Sequence, residues 1–461
     1  MRVLKFGGTS VADAVAIERV ISIIKSKLDF TPVIVVSALS KVTDTLYRIA
    51  EHAGKGEKTN ANELIASLND MHINLCRDLF GDDNKIICEA KKEIESITSR
   101  LAEKINAITV LGELSERCKA SIVAQGEILS SYIIYLALNH SSVRTKLVDA
   151  RELIYTDDNY MKGEPDLKKI SEEVPKVIKR EFKGYEAVIT QGFISSTKNG
   201  VTTVLGRGGS DYTASLIGMA IDASEVEIWT DVDGILTADP RKIPNSKRIN
   251  LISFEEAAEL AHFGAKVLHP MTIQPAIEKN IPVRILNSRL ADAPGTLILE
   301  DSKIPAGVKS ISCKEKIIVL NIFSTRMVNS YGFLHKLFKL FDKYHIPVDL
   351  ISSSEANVSL TIEEEYELNE LILTELSAFS TVSVERDKSQ VSVIGKELNT
   401  CEGVYNRVFC SLSDYKINMI SQGASSINIS FVVKRADLND IITALHRELF
   451  EKNEIPFMKI A

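Results

Sequence analysis

The first 295 residues of the chain alternate short, aliphatic, strand-like runs with longer segments of helical periodicity. Strand-like runs occur at 2–6, 32–38 and 225–232, whereas 13–28 and most of 88–140 have helical patterns. Strands that alternate with helices predict an α/β fold with a mostly parallel sheet sandwiched by helices. In such sheets ligands bind beyond the carboxyl ends of the strands, so the loops that follow these strands are the expected location of a functional site.

A stretch rich in alanine, proline and glycine near residue 295 marks a domain boundary, and a weak repeat follows it. The segment 332–354 resembles 403–425, and each copy predicts the order strand, helix, strand, strand, helix, strand. That order is the ferredoxin-like β-α-β-β-α-β motif. We therefore predict an α/β domain at 1–295 and ferredoxin-like modules at 310–385 and 386–461. Two such modules suggest a regulatory pair, and a structural domain without a ligand is the alternative.

Composition and residue spacing argue against several classes of protein. The formal charge of −7 leaves no basic field, so no nucleic-acid partner is expected. No apolar run reaches the about 18 residues of a membrane span, and the first residues lack the apolar core of a signal peptide. Six scattered cysteines without a C-x-x-C pair predict reduced core thiols and a cytoplasmic protein. The eight histidines show no metal-binding spacing, so no protein-bound metal is expected.

The motif KFGGTS at 5–10 lies between the first predicted strand and the first predicted helix. Its glycines can bring backbone N–H groups to a phosphate at a helix N-terminus, and Lys5 can add a positive charge. The chain has no Walker A sequence, and this loop does not spell G-x-G-x-x-G. Taken alone, such a junction is more often a tight turn than a nucleotide site.

The motif GRGGSD at 206–211 is more specific, because its charged residues have no simple structural role. Arg207, placed among glycines, can form a bidentate pair with a carboxylate or a phosphate. Asp211 opens the following helix, where an N-cap is the simple explanation. A plain turn remains the alternative for the whole loop.

Three further stretches carry charged residues that can be interpreted in two ways. In WTDVDGILTADPR, Asp231 and Asp233 could hold a metal–phosphate complex or a ribose, or could form ordinary turns. In FGAKVLHP, Lys266 could face a nucleotide or solvent. In AQGEILSS, Glu127 lies in an apolar helical stretch, where a buried carboxylate needs a partner such as an ammonium group.

In this order and wording, the motifs KFGGTS, GFISST…TTVLGRGGSDYTA, WTDVDGILTADPR and FGAKVLHP resemble the aspartate kinases of the amino-acid-kinase superfamily. The resemblance extends over nearly the whole chain and includes two C-terminal modules similar to ACT domains. It implies the amino-acid-kinase fold and transfer of the γ-phosphoryl group of ATP, as its magnesium complex, to the β-carboxylate of L-aspartate. It implies no tightly bound cofactor and no membrane partner.

The resemblance implies catalytic roles for Lys5, Asp211 and Arg207. Lys5 would neutralise the transferring phosphates. Asp211 would organise Lys5 rather than act as a base, because a carboxylate nucleophile is already deprotonated at pH 7. The positions that match ATP-binding positions of the family are Lys5, Gly7, Gly8, Thr230, Asp231, Leu236, Arg241, Lys266 and Val267.

The same resemblance implies that Thr43, Glu127 and Arg207 bind aspartate. Arg207 would pair with a carboxylate, Glu127 would bind the α-ammonium group, and Thr43 would form a hydrogen bond. The chain departs from the family at Leu236, where many bacterial relatives carry an aromatic residue. We expect the affinity for the nucleotide to differ, because the contact made by that ring is missing.

The first ACT-like module resembles the lysine-binding segments of the lysine-inhibited aspartate kinases. Asp349 and Glu355 would receive the cationic groups of L-lysine, and backbone at a helix N-terminus would meet its carboxylate. A threonine effector would not need two carboxylates, so lysine is the favoured effector. ACT modules generally pair across subunits, which implies a homodimer or homotetramer. The matched positions are Met327, Ser330, Phe333, Leu334, Val348, Asp349, Ser354 and Glu355.

Two other functions stay open at this point. One is a related amino-acid kinase with another acceptor, such as glutamate or a nucleoside monophosphate; the paired ACT-like modules and FGAKVLHP argue against it. The other is a non-catalytic amino-acid sensor, against which stand the retained charges of Lys5, Glu127, Arg207 and Asp231. The favoured function is the first step of the pathway to lysine, diaminopimelate, threonine and methionine.

Overall fold

The computed structural model describes residues 1–264, 270–300, 304–327, 331–366, 368–423 and 425–452. The chain divides into two compact units. The described residues of 1–235 and 268–300 form the first unit, and those of 236–267 and 301–461 form the second. The segment that begins at Leu236 therefore belongs to the second unit, although the sequence placed it within the α/β domain.

The regular elements are numbered here in chain order. The strands are β1 Arg2–Phe6, β2 Pro32–Val36, β3 Thr145–Val148, β4 Tyr155–Thr156, β5 Ala187–Gln191, β6 Ile194–Thr197, β7 Thr202–Val204, β8 Glu225–Thr230, β9 Leu251–Ser253, β10 Val283–Asn287, β11 Thr296–Leu299, β12 Gly307–Phe323, β13 Ile351–Ser353, β14 Asn357–Glu363, β15 Thr381–Lys396, β16 Ile417–Ser421 and β17 Asn428–Lys434. The helices are α1 Ala14–Lys25, α2 Val42–Gly54, α3 Lys58–Phe80, α4 Asn84–Leu111, α5 Glu116–Val123, α6 Gln125–His140, α7 Leu167–Glu181, α8 Gly209–Ala220, α9 Phe254–His262, α10 Pro270–Glu278, α11 Phe333–Lys343, α12 Glu370–Ser377, α13 Val404–Ser411 and α14 Leu438–His446.

The main sheet of the first unit confirms the predicted α/β fold. Its strands lie in the order β3-β5-β2-β1-β8-β10-β11. Neighbouring strands are parallel except for the antiparallel pair β10 and β11. The central strands are buried along almost their whole length, as expected when helices cover both faces of a parallel sheet. The ends of β1, β2, β5 and β8 consequently meet at one edge, where a site is expected.

One helical stretch of the first unit, Glu116–His140, is long and apolar enough to span a membrane by length and composition alone. The expectation that no segment reaches this length was therefore too strict. The stretch is two helices, α5 and α6, with a break at Ala124, and most of it is buried inside the protein. Leu129, Ile133 and Ile134 are fully buried in the core of the unit. This packing explains the apolar composition of the stretch.

The second unit contains an antiparallel sheet with the strand order β13-β14-β12-β15-β17-β16. Helices α11 and α12 separate the strands of its first half, and α13 and α14 those of its second half. Separate apolar clusters lie under the two halves, one including Leu337 and Leu360 and the other Phe431 and Ile441. The architecture agrees with ACT-like modules.

The two halves share their central strands, which the sequence did not indicate. The boundary expected at residue 385 falls inside β15, which is continuous. The end of β12 pairs with the start of β15, from Ile317 opposite Lys388 to Phe323 opposite Thr381. The start of β12 pairs with the end of β15, from Gly307 opposite Lys396 onward. The beginning of β12 thus belongs to the second half of the sheet, although it precedes the first half in the sequence.

The cysteines are all free thiols in the structure. Cys76 alone is buried, and burial raises its pKa to about 12, which makes it unreactive. Cys88 and Cys410 are exposed, so the expectation that the thiols lie in the core was wrong for these two.

Candidate active site and effector site

Three loops of the first unit come together beyond the ends of β1, β2 and β5. A Cβ atom on Gly8, which follows β1, would lie 2.9 Å from the carbonyl oxygen of Ala38, which follows β2. A Cβ atom on Gly192, which follows β5, would lie 2.5 Å from the Cβ of Ser210 in the first turn of α8. Only glycine fits at these close approaches. The motifs KFGGTS and GRGGSD therefore lie at the same edge of the sheet.

Lys5 lies near the end of β1, is 8% exposed, and forms an ion pair with Asp211. Its Nζ lies 2.6 Å from Oδ1 of Asp211, which is in the first turn of α8. Helix α8 begins after Gly208 and has no side-chain cap, so an N-cap role for Asp211 is wrong. The ion pair fixes the position of a buried positive charge at the end of β1, which is the arrangement that phosphate neutralisation requires.

Gly7, two residues after Lys5, is held in place by a hydrogen bond between main-chain groups. The N–H of Gly7 donates to the carbonyl of Trp229 in β8 over 3.1 Å. The ring of Trp229 stacks on Phe6 with a centroid distance of 6.1 Å. The turn that carries Lys5 and Gly8 is thus anchored to the rigid centre of the sheet.

Glu127, in the first turn of α6, is a buried carboxyl group, 3% exposed, with an unsatisfied oxygen. Burial raises its pKa to about 8, and hydrogen bonds from backbone N–H groups, including that of Ala38, offset only part of this effect. Its Oε2 has no hydrogen-bond partner among the described residues. Such a group is costly unless a ligand satisfies it. A cationic ligand group beside Glu127 would satisfy the carboxylate.

Glu127 also belongs to the same edge of the sheet as KFGGTS. A Cβ atom on Gly126 would lie 2.9 Å from the Cβ of Ala38, the residue whose carbonyl Gly8 approaches. Ser130, one turn later in α6, donates to the carbonyl of Ser37 over 2.7 Å. The start of α6 therefore packs directly on the loop after β2.

Thr43 is half-buried in the first turn of α2. Tyr47 lies one turn later on the same face of the helix. The pKa of Tyr47 is raised first by burial and then by the negative charges of Glu127, Glu116 and Asp44. Sequence reasoning missed Tyr47; its spacing of four residues from Thr43 was the available signal.

Arg207 is exposed in the turn between β7 and α8. It has no ion pair or hydrogen bond to any part of the chain that the structure describes. Nearby basic residues are engaged; the Lys5–Asp211 pair is one example. An arginine held on a glycine-rich turn, without a protein partner, is free to bind an anionic ligand.

Thr230 and Asp231 end β8 at the same edge of the sheet, and the Thr230 hydroxyl donates to Oδ1 of Asp231 over 3.2 Å. Asp233 accepts a hydrogen bond of 2.6 Å from the side-chain amide of Asn287 at the end of β10. The turn interpretation therefore describes Asp233, while Asp231 is exposed and available. Ser288 donates to the carbonyl of Thr230 over 3.0 Å and completes this edge, a role that the sequence did not reveal.

The remaining residues predicted to bind ATP lie in the second unit or outside the described residues. Leu236 is half-buried, and its carbonyl accepts a hydrogen bond from Ser310 over 2.8 Å. Arg241 is exposed and forms a bidentate pair with Asp239, with distances of 3.0 and 2.7 Å. Lys266 and Val267 lie outside the described residues.

A buried histidine holds the segment that carries Leu236 and Arg241. His446, at the end of α14 and fully buried, has its Nε2 2.9 Å from the hydroxyl of Thr237. Its Nδ1 lies 2.9 Å from Oε1 of Glu451. The main chain of Thr237 is fixed as well, because its carbonyl accepts from the N–H of Ile311 over 2.8 Å. The conformation of the predicted nucleotide segment thus depends on α14.

We expect the substitution His446→Gln to raise the KM for ATP by about fivefold and to leave the KM for aspartate unchanged, since one buried hydrogen bond to the segment is lost. Steady-state kinetics with each substrate varied in turn measure this difference. His72→Gln is the matched control, because His72 is also fully buried but, within the described part of the chain, its ring bonds only to the carbonyl of Leu68 in α3. The control should lower the melting temperature and leave both KM values as they are. Equal changes in both KM values for His446→Gln would contradict the positioning role.

The residues predicted to bind an effector cluster around the start of α11 and the strands beside it. Phe333 is buried in the first turn of α11, and Leu334 beside it is exposed. Met327 and Val348 are half-buried next to the same apolar cluster. Ser354 is exposed, and Ser330 lies outside the described residues.

The two carboxylates predicted to bind the effector have different surroundings. The side chain of Asp349 is 8% exposed, and Oδ1 forms an ion pair of 2.8 Å with Lys314 of the same chain. Glu355 is exposed and has no ion pair within the described ranges. An ammonium group of the protein thus already occupies one of the two predicted positions.

The described residues contain no group of three or more histidine, cysteine or acidic side chains that could hold a metal ion. Mg²⁺ that is bound mainly by substrate phosphates and water is compatible with such a site.

The comparisons with known proteins agree with the fold described above. The chain matches the amino acid kinase family over residues 1–287 and the ACT domain over residues 391–449. It is 37% identical to the lysine-sensitive aspartokinase 3 of Escherichia coli (strain K12) over 457 residues, covering 97% of this chain and 99% of that protein. The structure is similar to that of E. coli aspartokinase III with aspartate and ADP, with a TM-score of 0.81, 35% identity, and coverage of 98% of this chain and 100% of the other. It is also similar to the complex of that enzyme with lysine and aspartate, with a TM-score of 0.83, 35% identity, and coverage of 98% and 99%.

Proposed function

The chain belongs to the aspartokinases within the amino acid kinase family, and on this basis we propose which of its residues transfer the γ-phosphoryl group of ATP to L-aspartate. The reaction is that of an aspartate kinase, ATP + L-aspartate giving ADP + 4-phospho-L-aspartate. An oxygen of the β-carboxylate forms a bond to the γ-phosphorus, and the bond between that phosphorus and the β–γ bridging oxygen breaks. The nucleophile is already ionised at neutral pH, so no base is needed. Catalysis then consists of positioning and charge neutralisation.

Lys5 is the residue that neutralises the transferring phosphoryl group in this proposal. Its buried position strengthens the interaction with an anion, because water does not screen it well. Asp211, at 2.6 Å, keeps the ammonium group in place when no nucleotide is bound. Gly8 supplies a backbone N–H group at the start of the following helical turn, and Gly7, whose own N–H donates to Trp229, lets the main chain approach the phosphates.

Glu127, Thr43 and Arg207 bind aspartate. The single observation that carries this assignment is the buried Glu127 carboxyl group with an unpartnered oxygen, at the start of α6, which packs on the loop that KFGGTS contacts. An α-ammonium group is the complement of that carboxylate, and the exposed guanidinium of Arg207 is the complement of a substrate carboxylate. Thr43 adds a hydroxyl from the start of α2.

ATP, as its Mg²⁺ complex, would bind through Thr230, Asp231, Leu236, Arg241, Lys266 and Val267 in addition to Lys5, Gly7 and Gly8. Mg²⁺ reaches the protein as part of the nucleotide substrate, which fits the small number of clustered acidic groups in the described residues. Arg241 is held by Asp239, so nucleotide binding by this residue would require the pair to open or to be shared.

The experiment that tests the function is a coupled assay of ADP release with aspartate, glutamate and UMP as acceptors, each with and without L-lysine. Aspartate-dependent release that lysine suppresses is the expected result. Release with glutamate and none with aspartate would indicate the related kinase with another acceptor. No release with any acceptor, together with lysine binding, would indicate a sensor.

We expect Arg207→Ala to raise the KM for aspartate by about 30-fold, because charge-assisted hydrogen bonds to the substrate carboxylate are lost. The effect is smaller than for a buried group, since solvent partly screens an exposed arginine. Initial rates with varied aspartate at saturating ATP measure it. Arg144→Ala, an exposed arginine in the loop before β3 that pairs with Glu186, is the control and should behave as the unaltered protein. An unchanged KM for aspartate in Arg207→Ala would show that this residue is not the clamp.

L-Lysine is the proposed effector, bound at the first ACT-like half by Asp349, Glu355 and the start of α11. The E. coli relative is lysine-sensitive by name, and its structure was solved with lysine. Inhibition would arise because lysine binds an inactive arrangement better than the active one. Lysine is a product of the pathway that this reaction begins, so its binding here would be feedback inhibition.

We further propose that the protein is a cytoplasmic homodimer or homotetramer that assembles through its ACT-like halves. Tyr331, Leu334 and Ile351 are exposed large apolar side chains in or beside α11 and β13. Exposed apolar residues in one neighbourhood are typical of an interface. The six free thiols suit a reducing compartment.

A further inference from the structure

Lys314 is paired with Asp349, one of the two carboxylates proposed to bind the effector. Its Nζ lies 2.8 Å from Oδ1 of Asp349 and 2.8 Å from Oε1 of Glu363, at the end of β14. The side chains of Lys314 and Asp349 are 10% and 8% exposed, so the contact is largely closed to water. A register shift in the pairing of β12 with β15 follows Lys314, and an irregularity of this kind re-aims side chains.

The cluster formed by Lys314, Asp349 and Glu363 carries more negative than positive charge. One ammonium group serves two carboxylates, and Oδ2 of Asp349 has no hydrogen-bond partner among the described residues. A buried carboxylate oxygen without a donor is destabilising. The cluster therefore has room, in its charge balance, for a second ammonium group.

The position of the Asp349 carboxylate is set by the sheet. The N–H of Asp349 donates to the carbonyl of Thr361 in β14 over 2.9 Å. The N–H of Leu350 donates to the hydroxyl of Thr361, also over 2.9 Å. Because hydrogen bonds hold the main chain at Asp349 and Leu350, the Asp349 carboxylate has a fixed position. An ammonium group that binds it must therefore bind at that position.

We propose that Lys314 is an internal counterpart of the effector, which holds Asp349 in the effector-free protein and competes with the ammonium group of free lysine. This inference rests on the proposed binding of lysine at Asp349. Lysine binding either displaces Lys314 or adds a second cation at Oδ2. In both cases Lys314 weakens lysine binding, and it thereby sets the concentration at which the enzyme responds.

Asp349 also lies close to α9, so a change in its ion pairing can affect an element outside the sheet. Nε2 of His262, the last residue of α9, lies 3.9 Å from Oδ1 of Asp349. In the sequence, His262 directly precedes the motif FGAKVLHP. A change in the charges around Asp349 would therefore be felt at the helix that leads into this motif.

The test is the substitution Lys314→Met, which keeps the length of the side chain and removes the charge. We expect the lysine concentration for half-maximal inhibition to fall by about tenfold, within the usual range of coupling between sites. Calorimetric titration of the full-length protein with L-lysine should show the same gain in affinity without depending on activity. The kcat without lysine should stay as it is. Lys343→Met is the control, because Lys343 forms an exposed ion pair with Glu375 in the same half and should leave the lysine response unchanged.

Because Lys314→Met leaves Asp349 without a counter-ion, its folding is checked by the melting temperature. Lys314→Arg, which keeps the charge, serves as the second variant and should respond to lysine within about twofold of the unaltered protein. If Lys314→Met needs as much or more lysine than the unaltered protein, while the unaltered protein is inhibited, Lys314 is no competitor and the proposed function stands. If neither protein binds or responds to lysine while both phosphorylate aspartate, the proposed effector site is overturned together with this inference.

Discussion

Replacing Lys5 with methionine is expected to lower kcat by about 10³-fold, with a much smaller change in the KM for aspartate. The reason is the position of Nζ at the end of β1, nearly closed to water and 2.6 Å from Asp211. A buried cation stabilises charge that moves during phosphoryl transfer better than an exposed one does. Single-turnover measurement of ADP formation at saturating ATP and aspartate reports this step directly.

Two further variants separate chemistry from stability. Lys27→Met is the matched control, because Lys27 lies 3.3 Å from the buried carboxylate of Glu227 in the same unit. We expect it to lower the melting temperature without altering kcat. Asp211→Asn should lower kcat by about tenfold, since Lys5 keeps its charge but loses its positioning partner. Full activity of Lys5→Met in a folded protein would remove Lys5 from the mechanism.

The second large effect is expected for Glu127→Gln, which should lower kcat/KM for aspartate by about 10²-fold, because the ammonium group loses a charged, buried partner. The pKa of Glu127, raised by burial to about 8, adds a pH dependence. In the free protein the group is mostly protonated at pH 7, and the substrate ammonium stabilises the ionised form. Binding of aspartate below pH 8 should therefore release a proton, which calorimetry in buffers of different ionisation enthalpy can measure.

Glu127 is expected to favour aspartate binding, but its ionisation lowers the stability of the ligand-free protein. The pKa of Glu127 is higher in the folded protein than the ordinary value of 4.5. Its contribution to stability is therefore fully present below pH 4.5, and it is lost as the pH rises through about 8, at about 1.4 kcal/mol per pH unit within that window. Glu127→Gln has no ionisable carboxyl group at this position, so it does not lose stability in this way as the pH rises. Without ligand, the variant should gain thermal stability relative to the unaltered protein as the pH rises from 5 to 8.

The control for both effects is Glu116→Gln, an exposed glutamate at the start of α5. It should change neither the aspartate kinetics nor the pH dependence of the melting temperature. If the difference in stability between Glu127→Gln and the unaltered protein did not depend on pH, Glu127 would be ionised in the folded protein. The argument that its carboxyl group binds the ammonium group of a ligand would then fail.

Much of the fold could be predicted from the sequence, because strand and helix patterns depend on residues close together in the chain. The apolar run at β2 and the helical pattern of α8 required no distant information. The motif GRGGSD could likewise be recognised, because an arginine among glycines has no simple structural use. The N-cap alternative for Asp211 is wrong because α8 begins after Gly208, and the carboxylate instead pairs with Lys5, the residue that the resemblance expected it to organise.

The partners of buried charged groups could not be predicted in this way. Lys314 and Asp349, like His446 and Thr237, lie far apart in the chain, and strand register or helix packing brings each pair together. The shared strands β12 and β15 were missed for the same reason, because a continuous strand that pairs twice looks like two ordinary strands in the sequence. Tyr47 was missed because its environment, not its residue type, places it within reach of the negative charge of Glu127.

By itself, the sequence determined the α/β and ferredoxin-like architecture, the loops in which the chemistry lies, and the residue types that a phosphoryl transfer from ATP to an amino acid requires. The tertiary structure alone decided that Glu127 has an unpartnered oxygen and that Lys314 already pairs with Asp349, and it supplied the 2.6 Å distance between Lys5 and Asp211, which the resemblance had only implied. The physical reason is that periodicity and turn chemistry act over a few residues. Charge pairing and desolvation, in contrast, depend on which distant side chains the packed fold brings within about 3 Å of one another.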